Sequence, residues 1–177
     1  MPELVGAELV HRFLRELSRS ARSPARVYFT GGVTAVLHGW RPSTVDLDLK
    51  FVPDHGELFD AIPRLKRELK LNVELACPSD FVPELEGWKD RSIFIAREGE
   101  LDAFHYDLYS QALSKIERGH DRDRHDVERM LETGLVEPEK LRQLFTEARP
   151  RLVRYPSLDE ESLVRALDET LAPHEES

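Results

Sequence analysis

Between Thr44 and Val52 the side chains alternate, with Val45, Leu47, Leu49 and Phe51 on one parity and Asp46, Asp48 and Lys50 on the other. Successive residues of a β-strand point to opposite faces. The segment is therefore predicted to be a strand with one apolar face and one face carrying two acids and a lysine. A strand of this kind needs a sheet around it and an apolar layer against the Leu47 face.

The surrounding segments supply both. Leu9, Val10, Phe13, Leu14 and Leu17 recur at helical spacing, and Ser18 to Pro24 reads as a polar stop. Arg26 to Thr30 is short and β-prone, Gly31-Gly32 interrupts it, and Val33 to His38 is long enough for about two helical turns. Gly39 to Ser43 is a predicted loop. After the turn Pro53 to Gly56, Leu58, Ile62, Leu65 and Leu69 repeat at helical intervals, with Pro63 expected to bend or restart the helix. Leu71 to Cys77 reads as a further strand, with the apolar neighbours of Glu74 expected in the core. Asp80 to Arg91 is predicted as loop with at most one helical turn, and Ile93 to Ala96 and Leu101 to Leu108 as a hairpin across Arg97 to Glu100. From Ser110 four helical patterns follow, separated at Gly119, at Gly134 with Pro138, and at Pro150 to Pro156. Ala172 to Ser177 is expected to fray.

At 177 residues the chain fits one compact domain or a core with a small helical appendage, here 1–109 with 110–177 packed on it. A net charge of -9 provides no overall basic field for nucleic acid, so such a partner needs a local patch. Arg41, Lys50, Arg64, Lys66 and Arg67 are the candidates for one. Cys77, the single cysteine, excludes an internal disulfide and a cysteine-rich zinc module, and points to the cytosol. No apolar run reaches the roughly 20 residues of a membrane span, and Met1 to Val10, with Glu3 and Glu8, has no basic leader; a cytoplasmic protein without a membrane partner is expected.

The chemistry-bearing residues fall in a fixed order. Asp46 and Asp48, two apart on one strand, project from the same face with backbones about 7 Å apart. Phosphoryl and nucleotidyl transfer is commonly run by two Mg2+ held between carboxylates, and Mg2+ prefers oxygen ligands. Thr30-Gly31-Gly32 stands where a strand ends and a helix begins, a place where backbone N–H groups can meet phosphates. Glu74 is a third acid, on a later strand. The Asp-x-Asp and the Gly-Gly alone each have a plain reading, as a solvated face and as a turn, whereas an acid among the apolar neighbours of Glu74 needs a reason. Their order, with thirteen residues between Gly32 and Asp46, is the more specific signal.

On these residues the chain resembles the nucleotidyltransferase superfamily related to DNA polymerase beta. The matching segments are Phe29-Thr30-Gly31-Gly32, Val45-Asp46-Leu47-Asp48-Leu49 and Val73-Glu74-Leu75. Val73 to Tyr106 is similar to the minimal nucleotidyltransferases, through Ile95-Ala96-Arg97-Glu98-Gly99. Ser110 to Leu131, with Ala112 to Ile116 followed by Arg122, Asp123 and Asp126, resembles the AbiEii-type toxin nucleotidyltransferases.

The resemblance implies an α/β (α+β) fold, a mixed sheet flanked by helices with a helical C-terminal segment. It also implies Asp46, Asp48 and Glu74 as metal-binding catalytic acids for two Mg2+. Thr30, Gly31 and Gly32 would bind a nucleoside triphosphate such as ATP, with Lys115 on its phosphates and Asp126 in support. The alternative for Lys115 is an exposed helix charge. The acceptor would be RNA, including a tRNA end, a protein or a small molecule. A homodimer or an antitoxin partner is compatible with the same reading.

Other candidates have simpler readings. His120 and His125 among Asp121, Asp123 and Asp126 alternate with arginines, as on a solvated helix. His105 is expected to be packed and hydrogen bonded rather than to approach a substrate, Trp40 and Trp88 to anchor loops or to stack on a base, and Cys77 to be a core residue. Asp102 and Asp107 are rivals of Glu74 as the third acid. The opposing function class is a catalytically inert domain of the same fold that serves as an interaction module.

Overall fold

The computed structural model describes residues 4–175. These divide into two compact units, one formed by residues up to Cys77 with Ser92–Tyr106, the other by Pro78–Arg91 with the residues from Asp107 onward.

The first unit is a five-stranded mixed sheet with helices. Its strands are β1 (Ala25–Thr30), β2 (Asp46–Val52), β3 (Asn72–Leu75), β4 (Ile93–Glu98) and β5 (Leu101–His105), in the spatial order β3-β2-β1-β5-β4. β1 runs antiparallel to β2 and parallel to β5, β2 is parallel to β3, and β4 and β5 form the predicted hairpin around Gly99-Glu100. The helices are α1 (Ala7–Ser18), α2 (Gly32–Leu37) and α3 (Gly56–Leu69). α1 buries Val10, Phe13, Leu14 and Leu17, the stripe its period predicts. They pack with Val27, Phe29, Leu47, Leu49, Phe51, Leu58, Leu65, Leu101 and Ala103 into one apolar core. Each such Val, Leu or Phe side chain contributes about 1.5–3 kcal/mol on burial.

Four local expectations are corrected. α3 continues through Pro63 as a single helix, its apolar face holding it against the core. β2 begins only at Asp46: Val45 is 51% exposed, while Thr44 is tied to Val5 by two backbone hydrogen bonds. β5 ends at His105 because Asp107 accepts the N–H groups of Tyr109 and Ser110 and so starts the next helix. β3 is a four-residue edge strand in which Val73 is buried but Glu74 and Leu75 are exposed.

The second unit is helical: α4 (Trp88–Arg91), α5 (Leu108–Arg118), α6 (Asp121–Glu132), α7 (Pro138–Ala148) and α8 (Glu160–Glu175), with 3-10 turns at Pro78–Asp80 and Arg149–Arg154. α5 touches each of the other four helices. Residues 78–91 are bound into this unit by Tyr155, whose hydroxyl donates to the Ser79 carbonyl at 2.6 Å, and by Arg151, which donates to the Glu84 carbonyl at 2.6 Å. α8 stays helical to Glu175 across most of the expected frayed segment, whose last two residues, Glu176 and Ser177, lie outside those described. Among the described residues no helix is long and apolar enough to cross a membrane.

Candidate active site

The core occupies the Leu47 face of the sheet, which leaves Asp46, Asp48 and Lys50 on the opposite face, half-buried. Asp48 lies across from Thr30 of β1 on one side and from Glu74 of β3 on the other; Asp46 lies across from Asn72. Neighbouring strands are about 4.8 Å apart and paired residues share a face, so Asp46, Asp48, Asn72 and Glu74 form one polar patch on two adjacent strands. The patch arises from two alternating segments set in register.

Gly31 closes the patch at the end of β1. Its φ of +64° suits glycine, and a Cβ there would stand 2.8 Å from Oδ2 of Asp48. Gly32 has a different reason: a Cβ would fall 2.0 Å from Oγ1 and 2.6 Å from Cβ of the buried Thr44. The glycine pair thus lets two side chains of the protein itself approach the backbone where β1 passes into α2.

Glu74 is exposed on an edge strand, so its presence there carries no burial cost, in contrast to the apolar setting its neighbours suggest in sequence. Its rivals lie elsewhere. Asp102 lies across from Arg26 on the far side of β1, offset from Asp48 by four residues or about 13 Å along the strands and by two strand spacings across them. Asp102 is also bound by Arg97 at 2.6 Å, and that hydrogen bond holds its carboxyl below the usual range. Asp107 is buried in the second unit, capping α5 and receiving Nε and Nη2 of Arg91 at 3.1 and 2.9 Å.

Asn72 was not singled out by the sequence, which drew attention to acids alone. Its side-chain amide donates to Oδ1 of Asp46 and lies 3.5 Å from Oε1 of Glu74. The only signal for it was its parity, two residues before Glu74 on the same face.

Lys115 and Asp126 meet in the helical unit, Nζ to Oδ2 at 2.8 Å, with Asp123 at 3.6 Å. Lys115 is 5% exposed, so it is no solvated helix charge. Asp123 and Asp126 are buried too, which corrects their reading as charges on a solvated helix. Burial pushes the Asp123 carboxyl up, but the Arg118 hydrogen bonds at 2.6 and 2.8 Å and the Lys115 charge outweigh it and hold the pKa below the ordinary value.

His105 is buried at the end of β5 and shares a 3.0 Å hydrogen bond with Oγ1 of Thr34, and its ring centre is 4.5 Å from that of His38, which in turn stacks on Trp40. Burial, then the neighbouring His38, lowers the His105 pKa to about 3. Trp88 is buried in α4, and Cys77 is buried. Four of the five cations considered as a rim do not share a surface: Lys50 is on the face away from the core, whereas Arg64, Lys66 and Arg67 belong to α3, which packs over the core.

Among the described residues no three His, Cys, Asp or Glu side chains already converge as a metal cage. Mg2+ does not require one, since one or two carboxylates complete their octahedron with water and substrate phosphates. The donor set of Asp46, Asp48 and Glu74 is all carboxylate oxygen, on one face, beside a backbone turn that a Cβ would obstruct, and it fits that ion.

The family model described as "Nucleotidyltransferase of unknown function (DUF6036)" matches residues 9–168. No curated protein and no solved structure matches the chain.

Proposed function

The chain belongs to the nucleotidyltransferase family DUF6036, and we propose that it is a Mg2+-dependent enzyme that moves a nucleoside monophosphate from a nucleoside triphosphate to a hydroxyl acceptor. The observation that carries this reading is the lateral register that sets Glu74 beside Asp48, two residues from Asp46, on one face of the sheet next to Gly31.

Asp46 and Asp48, with Glu74, would hold Mg2+, which when bound neutralises phosphate charge and polarises the attacked phosphorus. Gly31, having no Cβ, lets Asp48 come up to the turn at the end of β1, beside which the triphosphate would bind. The acceptor oxygen bonds to the α-phosphorus as the bond to the bridging oxygen of the β-phosphate breaks, and pyrophosphate leaves. Glu74, exposed beside Asp48, is placed to receive the hydroxyl proton or to complete the metal ligands. We assign Lys115 and Asp126 a supporting role, because their buried pair fixes α5 against α6. The acceptor class we favour is RNA or protein, in a toxin-like setting, on the strength of the Ser110 to Leu131 resemblance.

An inert interaction module of the same fold is the second reading, since a fold does not by itself fix an activity. A thermal-shift series with Mg2+ and each of the four ribonucleoside triphosphates separates the two. Ligand binding to the folded state raises the midpoint, so the enzyme reading predicts a Mg2+-dependent rise that Asp46→Asn abolishes. No rise with any nucleotide would contradict it.

A further inference from the structure

We infer that Asn72 is a positioning residue for Asp46: it holds one carboxylate oxygen, Oδ1, and so presents the other toward a divalent cation, while it spaces Asp46 from Glu74. The inference rests on the metal-dependent reading above and deepens it.

Three observations carry it. The parallel register of β2 and β3 sets Asn72 directly across from Asp46, with Glu74 two residues on and on the same face. The amide nitrogen donates to Oδ1 of Asp46 and lies 3.5 Å from Oε1 of Glu74. A flipped amide would set its carbonyl oxygen against the Asp46 carboxylate, acceptor against acceptor, so the chemistry of the pair fixes the orientation.

The residue type suits the task. A primary amide carries two N–H donors and no charge. It can therefore serve two carboxylates without neutralising either, which a lysine or arginine at this position would do in competition with the cation. An aspartate would add a fourth negative charge to the patch with no donor, and a serine would offer a single donor on a shorter arm. A carboxylate restrained at one oxygen has lost rotational freedom before the metal arrives, so less is lost on binding. Partners that orient a metal ligand in this way are typically worth about 10–100-fold in metal affinity.

The test is Mn2+ binding, followed by electron paramagnetic resonance on the full chain without nucleotide, for wild type, Asn72→Ala, Asn72→Gln and Asp46→Asn, with the metal-free melting temperature of each recorded beside it. The inference predicts about 10–100-fold weaker Mn2+ binding in Asn72→Ala with little change in melting temperature, and substantial recovery in Asn72→Gln, whose amide is retained at a half-buried edge position. Equal affinity in wild type and Asn72→Ala overturns the inference and leaves the metal-dependent reading standing. A loss that Asn72→Gln does not restore, with the melting temperature lowered in both variants, makes Asn72 a support of the edge strand only and also overturns it. No Mn2+ binding by wild type at millimolar concentration overturns the inference, and the metal-dependent reading is then decided separately by the thermal shift with Mg2+ and nucleoside triphosphate.

Discussion

Glu74 lies directly across from Asp48 on the adjoining parallel strand. That pairing joins an acid on the sheet edge to an acid one strand inward. Because Glu74 is exposed, Glu74→Gln should change stability by no more than about 0.5 kcal/mol, while nucleotidyl transfer falls by an order of magnitude or more. Chemical denaturation beside a transfer assay checks both halves. A variant as active as wild type would remove Glu74 from the acid set.

Gly32 and Thr44 are packed so closely that no side chain fits between them. Gly32→Ala should destabilise the first unit by about 1–3 kcal/mol, the usual cost of overpacking. Adding Thr44→Ala should recover only part of this, because the Thr44 Cβ itself would stand 2.6 Å from the new methyl group. Full recovery in the double variant, measured by urea denaturation, would show that the Thr44 hydroxyl and methyl groups, and not its Cβ, are the obstacle.

Lys115 stands between Asp126 and Asp123, with all three buried. Removing one partner of a buried ion network costs about 3–5 kcal/mol, whereas replacing it with apolar residues of similar volume is often neutral. Lys115→Met should therefore destabilise far more than Glu74→Gln does. The Lys115→Met, Asp126→Leu double variant should recover stability relative to Lys115→Met. Melting curves of the three variants decide this, and a Lys115→Met protein as stable as wild type would contradict it.

His105 gives the protein a pH dependence of known sign. Its folded pKa is lowered to about 3 from an ordinary 6.5, so between those values the unfolded chain binds the extra proton. The stabilisation is complete above about 6.5 and is lost as pH falls toward 3, at up to about 1.4 kcal/mol per pH unit. Carboxylates titrate in the lower part of the same window, so the comparison with His105→Gln isolates the histidine. The variant should show a shallower loss of stability between pH 6.5 and 4.5, and parallel curves would sink the assignment.

The legible parts of the molecule were those written in local periodicity. The alternation of Asp46 to Val52 and the helical stripe of α1 follow from which side of one element is apolar. The pairing of Asp48 with Glu74 depends on two segments more than twenty residues apart in sequence, and no local pattern encodes their register. Asn72 was missed for that reason, since its meaning comes from the strand beside it. The same limit explains Lys115 and Asp126: alternating charges on α6 look solvated until α5 is set against them. It also explains Pro78–Arg91, whose prolines break any period and whose membership of the helical unit is made by Tyr155 and Arg151 from far along the chain.

A face of Asp46, Asp48 and Glu74 that transfers a nucleoside monophosphate treats the α- and γ-phosphates of its substrate differently. The decisive experiment compares α-labelled with γ-labelled nucleoside triphosphate, in Mg2+ and with total cellular RNA or protein as acceptor, for wild type and Asp48→Asn. Wild type should move the α-label onto acceptor and release the γ-label as pyrophosphate, and Asp48→Asn should do neither. Transfer of the γ-label, or α-label transfer undiminished in Asp48→Asn, would contradict it.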